Sequence, residues 1–436
     1  MTPTTETIQQ HHDPLKILFI QPVSPSSEKL SRRFLYKIRA YPPLTFETLT
    51  AVTPTNCDIS IIDERFQTLD YTTPADLVGI TCMTPEAPRT YQIADEFRRR
   101  GATVVLGGWH VSALPDEAKP HADSIVLGEA ENLWPQLIHD YQNHALQPVY
   151  KNDKPVDLTM LPAAQRNARR KIMFVAAMQA SRGCPMGCEF CAASNCLDGH
   201  RHRKRDITQI VNEIRSLKEH YLYFYDPSFT INPKYTKELF RAMADLHKSF
   251  VCFANIDLLD RDEEFLTLAR KAGCRQFFIG FESINQETIN ALHKRSNTVE
   301  KYAATIKKIH NHGISIVGGF IFGFDTDTLE TFDQAIEYHQ TLDVDFLEFT
   351  TLTPYPGTPL FDRLDREGRI LTRDWSLYTQ KGNVVFQPKN MTPEQLLSET
   401  RRVNQEFNSF SGMSRRILRF KRMEPYRIVN NILQYL

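Results

Sequence analysis

The sequence predicts an α/β protein: an N-terminal doubly wound parallel sheet, then a (β/α)6 partial barrel, then a small mixed C-terminal region. Three observations predict it. Short runs of Ile, Val and Leu alternate with amphipathic helical stretches through most of the 436 residues, the pattern of parallel strands covered on both faces. The alternation stops at a polar, proline-bearing stretch, Val149–Lys171, and then restarts. The length asks for two to three units.

In the first unit, residues 1–148, the strand-like runs are Lys16–Gln21, Asp58–Asp63, Leu77–Cys82, Thr103–Leu106 and Ser124–Leu127. Helical stretches Leu44–Val52, Ala87–Arg100 and Glu131–Tyr141 lie between or after them. Folds of this kind bind ligands at the carboxyl ends of their strands. Residues 149–171, with Pro155, Pro162 and a basic cluster at Arg166–Lys171, read as a linker. The second unit, 172–373, opens with strand Phe174–Gln179 and continues with Tyr221–Tyr225, Val251–Asn255, Gln276–Gly280, Ser315–Phe322 and Phe346–Thr351. Its helices are Ile207–His220, Lys234–Lys248, Glu263–Lys271, Val299–His312 and Asp327–Thr341. In such barrels chemistry sits on the loops after the strands. Residues 374–436 form the mixed C-terminal region. In it, Ser414–Arg422 is basic with interleaved apolar residues. Peripheral membrane contact is one reading of that stretch; a terminal helix with a solvated basic face is the preferred one.

Lys plus Arg equals Asp plus Glu, so the formal net charge is zero, which argues against nucleic-acid binding by bulk charge. No leader and no bilayer-length apolar run is evident, and the expected compartment is the cytoplasm. The polar first residues, Met1–Pro14, read as a loose tail with His11 and His12 solvated. Cys57, Cys82, Cys252 and Cys274 lie in apolar segments and read as small buried hydrophobes.

Cys184, Cys188 and Cys191 form a Cys-x3-Cys-x2-Cys triplet directly after the first barrel strand. Thiolates are soft ligands, and three of them hold three irons of a [4Fe–4S] cluster while leaving the fourth open to a cosubstrate. Electron-transfer sites use four cysteines, and the spare thiol here, Cys196, reads as a bystander. A structural zinc site would need four closed ligands, with His200 or His202 as the fourth; the strand-first placement argues against it.

The triplet, flanked by glycines and Pro185, resembles the signature of the radical S-adenosylmethionine (SAM) superfamily. The resemblance implies SAM chelated at the open iron and its reductive cleavage to an adenosyl radical. It also places cosubstrate contacts. Asp226 follows the second strand, where an acid meets the SAM amino group. Glu282, after the fourth strand, matches a carboxylate facing the ribose. Gly318 and Gly319 match a strand that lets the backbone approach adenine. Pro354, Gly357 and Pro359 match a family loop. Each carboxylate taken alone also reads as a strand-end cap. Arg203 and Arg205 face the cosubstrate carboxylate or simply begin a solvated helix.

Ile80-Thr81-Cys82-Met83, Leu106-Gly107-Gly108-Trp109-His110 and Leu127-Gly128-Glu129 end strands of the first unit. Together they resemble the cobalamin-binding domain of class B radical SAM enzymes, and the likeness runs through nearly the whole chain. It implies that Thr81, Met83, Gly107, Gly108, His110, Gly128 and Glu129 contact cobalamin. The cobalt-ligating Asp-x-His-x-x-Gly run of many cobalamin proteins is absent; the loop reads Gln21-Pro22-Val23-Ser24-Pro25-Ser26-Ser27. His110 is the substitute ligand in sight, and an ordinarily hydrogen-bonded histidine is the preferred reading of it.

The resemblance implies a cobalamin-dependent methyltransferase acting on an unactivated carbon of a hydrophobic small molecule, fed by a low-potential flavodoxin- or ferredoxin-type donor. A non-methylating cyclase or ring-rearranging enzyme would share the scaffold. An iron–sulfur electron carrier is the non-catalytic alternative. Phe229, Phe253 and Phe324 line a greasy pocket or belong to the core.

Overall fold

The computed structural model describes residues 14–24, 43–166, 175–294 and 296–409. The tail with His11 and His12, the loop from Pro25, most of the basic cluster after Arg166, and Ser414–Arg422 lie outside the described residues.

The first sheet is built from β1 (Leu15–Gln21), α1 (Thr45–Val52), β2 (Cys57–Asp63), β3 (Leu77–Thr81), α2 (Ala87–Arg99), β4 (Thr103–Gly107), α3 (Trp109–Ala113), α4 (Pro115–Ala118), β5 (Ser124–Leu127), α5 (Trp134–Gln142) and β6 (Val149–Lys151). All strands are parallel, in the order β2-β1-β3-β4-β5-β6. Side chains alternate along β1. Ile17 and Phe19 join α1 and α5 in one core, whereas Leu18 and Ile20 join α2 in the other. Covering both faces is what makes these strands continuous apolar runs. β6 is a correction: Val149–Lys151 belongs to the sheet and not to the linker, since Val149, Tyr150 and Lys151 pair in register with β5. A three-residue edge strand has too few alternations to be read from sequence.

The second unit contains β7 (Val175–Met178), β8 (Ser181–Arg182), α6 (Ala192–Asn195), β9 (Arg203–Lys204), α7 (Ile207–Ser216), β10 (Tyr221–Phe224), α8 (Pro233–Met243), β11 (Ser249–Phe253), α9 (Ile256–Arg261), α10 (Glu263–Ala272), β12 (Cys274–Glu282), α11 (Gln286–Ala291), α12 (Tyr302–Asn311), β13 (Ser315–Phe322), α13 (Leu329–Thr341), β14 (Phe346–Thr351), α14 (Pro359–Arg366) and α15 (Pro393–Phe407). Six strands run parallel in the order β14-β13-β12-β11-β10-β7, the expected partial barrel. Caps set the helix starts: Asp206, Asn232, Asp262 and Thr392 each accept from a first-turn amide. The outward strand face and the helices form the main core, which includes Phe229 and Phe324.

The C-terminal region packs on both units. Helix α15 lies against β14 and α13. Phe361, Trp375, Tyr378 and Val385 complete a core of the first sheet. Trp375 Nε1 donates to both carboxylate oxygens of Glu117, at 2.9 and 3.0 Å. Of the four cysteines expected to be buried, Cys82, Cys252 and Cys274 are, while Cys57 is partly exposed. No helix among the described residues is long and apolar enough to cross a membrane.

Candidate active site: the cysteine loop and the facing rim

The cysteine triplet lies where a barrel strand ends. The Gly183-Cys184 turn is tight: Gly183 has φ +86°, and a Cβ there would stand 2.1 Å from the Arg201 carbonyl oxygen. The Cys184 amide donates to the Gly199 carbonyl at 2.7 Å. The Asn195 side-chain amide donates to the Cys188 and Cys191 carbonyls at 2.9 and 2.8 Å. On the far side, Arg363 Nη2 donates to Glu189 Oε1 at 3.0 Å, and the Leu360 amide donates to the Glu189 carbonyl at 3.1 Å. All three cysteines are unpaired in disulfides. Burial pushes the Cys184 thiol up and the Cys188 thiol to about 11; Cys191 adds to both shifts and the Lys294 ammonium opposes them. Metal binding would displace those protons, because the thiolate is the ligand.

Among the described residues no three His, Cys, Asp or Glu side chains converge on one point as they do around a single ion. In a cubane each cysteine takes its own iron. Three thiols on one braced loop can therefore each take an iron of a [4Fe–4S] cluster. His202 lies among cations, and burial together with Lys204 and Arg203 lowers its pKa. Cys196 Sγ donates to the Ala193 carbonyl at 3.4 Å.

Several expected cosubstrate contacts have other partners. Asp226 is fully buried. It accepts from the Ala180 amide (3.1 and 3.0 Å), the Ser181 amide and the Ser181 hydroxyl (2.7 Å). It thus supports the backbone leading into the cysteine loop. Burial raises its pKa to about 6 against those hydrogen bonds. Glu282 has a left-handed backbone, φ +64°, and its carboxylate accepts from Lys294. Lys294 also donates to the Gly280 carbonyl at 2.8 Å. Gly318 faces the helix layer, since a Cβ would stand 2.7 Å from the Phe281 ring and 2.8 Å from Leu347. Gly319 faces the barrel interior, where a Cβ would lie 3.4 Å from the Phe278 ring. Arg205 pairs with Glu213 at 2.7 Å and Arg203 with Glu129, so neither begins a solvated helix.

The interior wall is aromatic. Tyr225, Tyr223, Phe253 and Phe278 form a row with successive ring centroids 4.8, 6.1 and 4.9 Å apart. Phe253 is therefore the one of the three expected pocket residues that faces inward. Register accounts for the row, because directly paired residues of parallel strands share a face: Tyr223 pairs with Val251, and Phe253 with Phe278.

The rim of the first sheet is formed by the ends of β1 to β5. Met83 is exposed there. A Cβ on Gly107 would meet only Val126, at 3.8 Å, whereas Gly108 packs on the Thr81–Cys82 backbone and hydroxyl. His110 makes ordinary hydrogen bonds, the reading preferred from its sequence. Its ring is fully buried, Nδ1 meets Thr84 Oγ1 at 3.3 Å and Nε2 meets Glu117 Oε1 at 3.2 Å. Both nitrogens are engaged, and it sits in a helix after Gly108 rather than at a strand end. Glu129 is held from the barrel side: Arg203 Nη1 and Nη2 donate to its two oxygens at 2.6 and 2.8 Å, and Arg182 Nη1 stands at 3.2 Å. Gly128 abuts Leu197 of the barrel, 2.8 Å from a Cβ placed on it.

Sequence reasoning missed Gln21, Asp63, Arg65 and Glu86, which gather on this rim. Arg65 Nη2 donates to Asp63 Oδ2 at 2.7 Å, and Gln21 Nε2 to Glu86 Oε2 at 3.2 Å. Burial raises the Glu86 pKa to about 8, opposed by the Met83 amide and Arg65. Arg65 lies within electrostatic range of Tyr225 on the barrel, so rim and barrel mouth are neighbours. No short motif marks these residues; only strand-end position singles them out.

Comparison with known proteins agrees with this architecture. The Radical SAM superfamily model matches residues 178–339, and the B12 binding domain model matches residues 52–138. The chain is 34% identical over 351 residues to bacteriochlorophyllide d C-8(2)-methyltransferase of Chlorobaculum tepidum, covering 76% of this chain and 77% of that one. It is 32% identical over 393 residues to bacteriochlorophyllide d C-12(1)-methyltransferase of the same organism, covering 86% and 84%. In fold it is similar to the radical S-adenosylmethionine methyltransferase TsrM of Kitasatospora setae, solved with cobalamin and a [4Fe–4S] cluster bound (TM-score 0.67, 17% identity, 90% and 85% covered). The chain belongs to the radical SAM enzymes that carry a B12-binding domain.

Proposed function

We propose that this enzyme methylates an unactivated carbon of a hydrophobic, tetrapyrrole-like small molecule. Cys184, Cys188 and Cys191 would hold a [4Fe–4S] cluster with SAM, and the rim around Thr81, Met83, Gly107, Gly108 and Gly128 would hold cobalamin. The observation that supports this reading is the facing of cysteine loop and rim, joined by Arg182 and Arg203 to Glu129. When bound, these groups supply one-electron reduction, hydrogen abstraction and a transferable methyl. The chain's own residues do the rest. Asp226, Gly199 and Asn195 fix the loop backbone. The aromatic row offers apolar contact to a flat ring system. A low-potential flavodoxin- or ferredoxin-type donor would serve the cluster.

Protein produced without oxygen, with cobalamin supplied and the cluster reconstituted, is expected to hold near-stoichiometric cobalamin and to add one methylene unit of mass to a chlorophyllide-type acceptor. SAM cleavage without mass gain would favour cyclisation or rearrangement. An intact cluster that never cleaves SAM would favour electron transfer.

A further inference from the structure

Two carboxylates of the first unit face two guanidiniums of the second. Arg182, two residues before Cys184, donates Nη2 to Glu131 Oε1 at 2.5 Å and Nε to Gln179 Oε1 at 2.7 Å, while its Nη1 stands 3.2 Å from Glu129 Oε1. Arg203, on the strand paired with β8, takes both oxygens of Glu129. The segment between the sheets joins in: Arg203 Nη1 also donates to the Val156 carbonyl at 2.9 Å, and the Val156 amide donates to Glu129 Oε2 at 3.2 Å. Side-chain exposures are 16% for Arg182, 18% for Arg203, 19% for Glu129 and 9% for Glu131. An exposed pair would contribute little; a largely buried, multidentate network resists screening and fixes direction.

The cysteine loop has separate backbone supports in Asp226, Gly199 and Asn195. Arg182 is therefore not needed to form the loop. Apart from Gln179, its side-chain partners belong to the other unit, where Gly128 and Leu197 also touch.

We infer that Arg182, gripped by Glu129 and Glu131, is a positioning residue that sets the cysteine loop at one fixed approach to the first unit's rim. This rests on the proposed function in taking the three cysteines as cluster ligands and methyl transfer between the two units as the reaction they serve. Methyl transfer between groups held on two units needs such a fixed approach, because misplacing a reacting group by about 1 Å costs about a hundredfold in rate.

The test uses full-length, anaerobically reconstituted protein and two readouts: iron per chain, and the electron paramagnetic resonance spectrum of the reduced cluster as SAM is titrated. Arg182→Gln is expected to keep wild-type iron, yet to need about tenfold more SAM for half of the spectral change. The Glu129→Gln, Glu131→Gln double variant should match it, and adding Arg182→Gln to that pair should have little further effect, since the groups act as one network. If Arg182→Gln fails to fold, Glu131→Gln alone leaves Glu129 with both arginines and carries the same expectation at smaller size. Wild-type iron and a wild-type SAM titration in both Arg182→Gln and the double variant would overturn the positioning role alone. Wild-type protein without iron would overturn the cluster reading and this inference together.

Discussion

The imidazole of His339 lies between the rings of Phe320 and Phe349, with centroids 4.4 and 4.9 Å away. Neither nitrogen has a hydrogen-bond partner among the described residues. Burial lowers its pKa from the ordinary 6.5 to about 3. Between those values the unfolded chain binds the proton and the folded one does not, so stability rises with pH and is lost as pH falls below about 6.5. His339→Leu, of similar volume, removes two unsatisfied polar atoms and this titration. It is expected to stabilise the protein by about 1–2 kcal/mol at neutral pH and to flatten the fall in melting temperature from pH 7 to pH 5. A lower melting temperature with an unchanged pH slope would contradict this. Legibility at this scale divides by chemistry. The cysteines announce themselves by spacing. Asp226, Glu129 and His110 occupy readable positions, but their partners come from segments 45, 74 and 26 residues away, and no local pattern records such partners. Arg182 was hidden in plain view, since an arginine beside a motif has no period or spacing of its own.

At the scale of elements, the cysteine loop contains two left-handed glycines with different surroundings. Gly183 is hemmed in by the Arg201 carbonyl, whereas a Cβ on Gly187, at φ +65°, would have nothing within 4 Å. Gly183→Ala therefore meets both strain and collision, and is expected to cost more than about 2 kcal/mol and to lower iron content sharply. Gly187→Ala meets only the backbone penalty, about 1 kcal/mol, and should retain iron. Iron analysis and thermal melting of the two variants check the contrast; equal losses would refute it. The repeated strands were legible because each is a buried apolar run, and β13 and β14 match the expected ranges in full. The β8/β9 hairpin was not, because two-residue strands carry no periodicity. Helices α9 and α11 were missed for the same reason, at six residues each.

Across the whole molecule, the C-terminal region is a strap over the first sheet. Glu117 receives the Trp375 indole N–H and the Tyr91 hydroxyl at 3.0 Å, and His110 stands beside it. Trp375→Phe keeps the ring packing and removes one donor, so a loss of about 1–2 kcal/mol is expected. Amide hydrogen exchange should quicken in both the strap and the helices around His110 if they open as one unit; quickening confined to the strap would show that they do not. This long-range closure was not legible, because the first unit's pattern looks complete in sequence.

The same strap has a consequence for how the chain is made. The strands of the first sheet leave the ribosome early, but Trp375 and Tyr378, which seal one of its cores, follow about 250 residues later. At about 5–20 residues per second that is a wait of roughly 10–50 seconds. Throughout it, the apolar surface around Val111 and Phe97 stands open to chance partners. Slow or crowded synthesis should therefore penalise yield more than the stability of the finished protein would suggest, and supplying holdase chaperones should restore it.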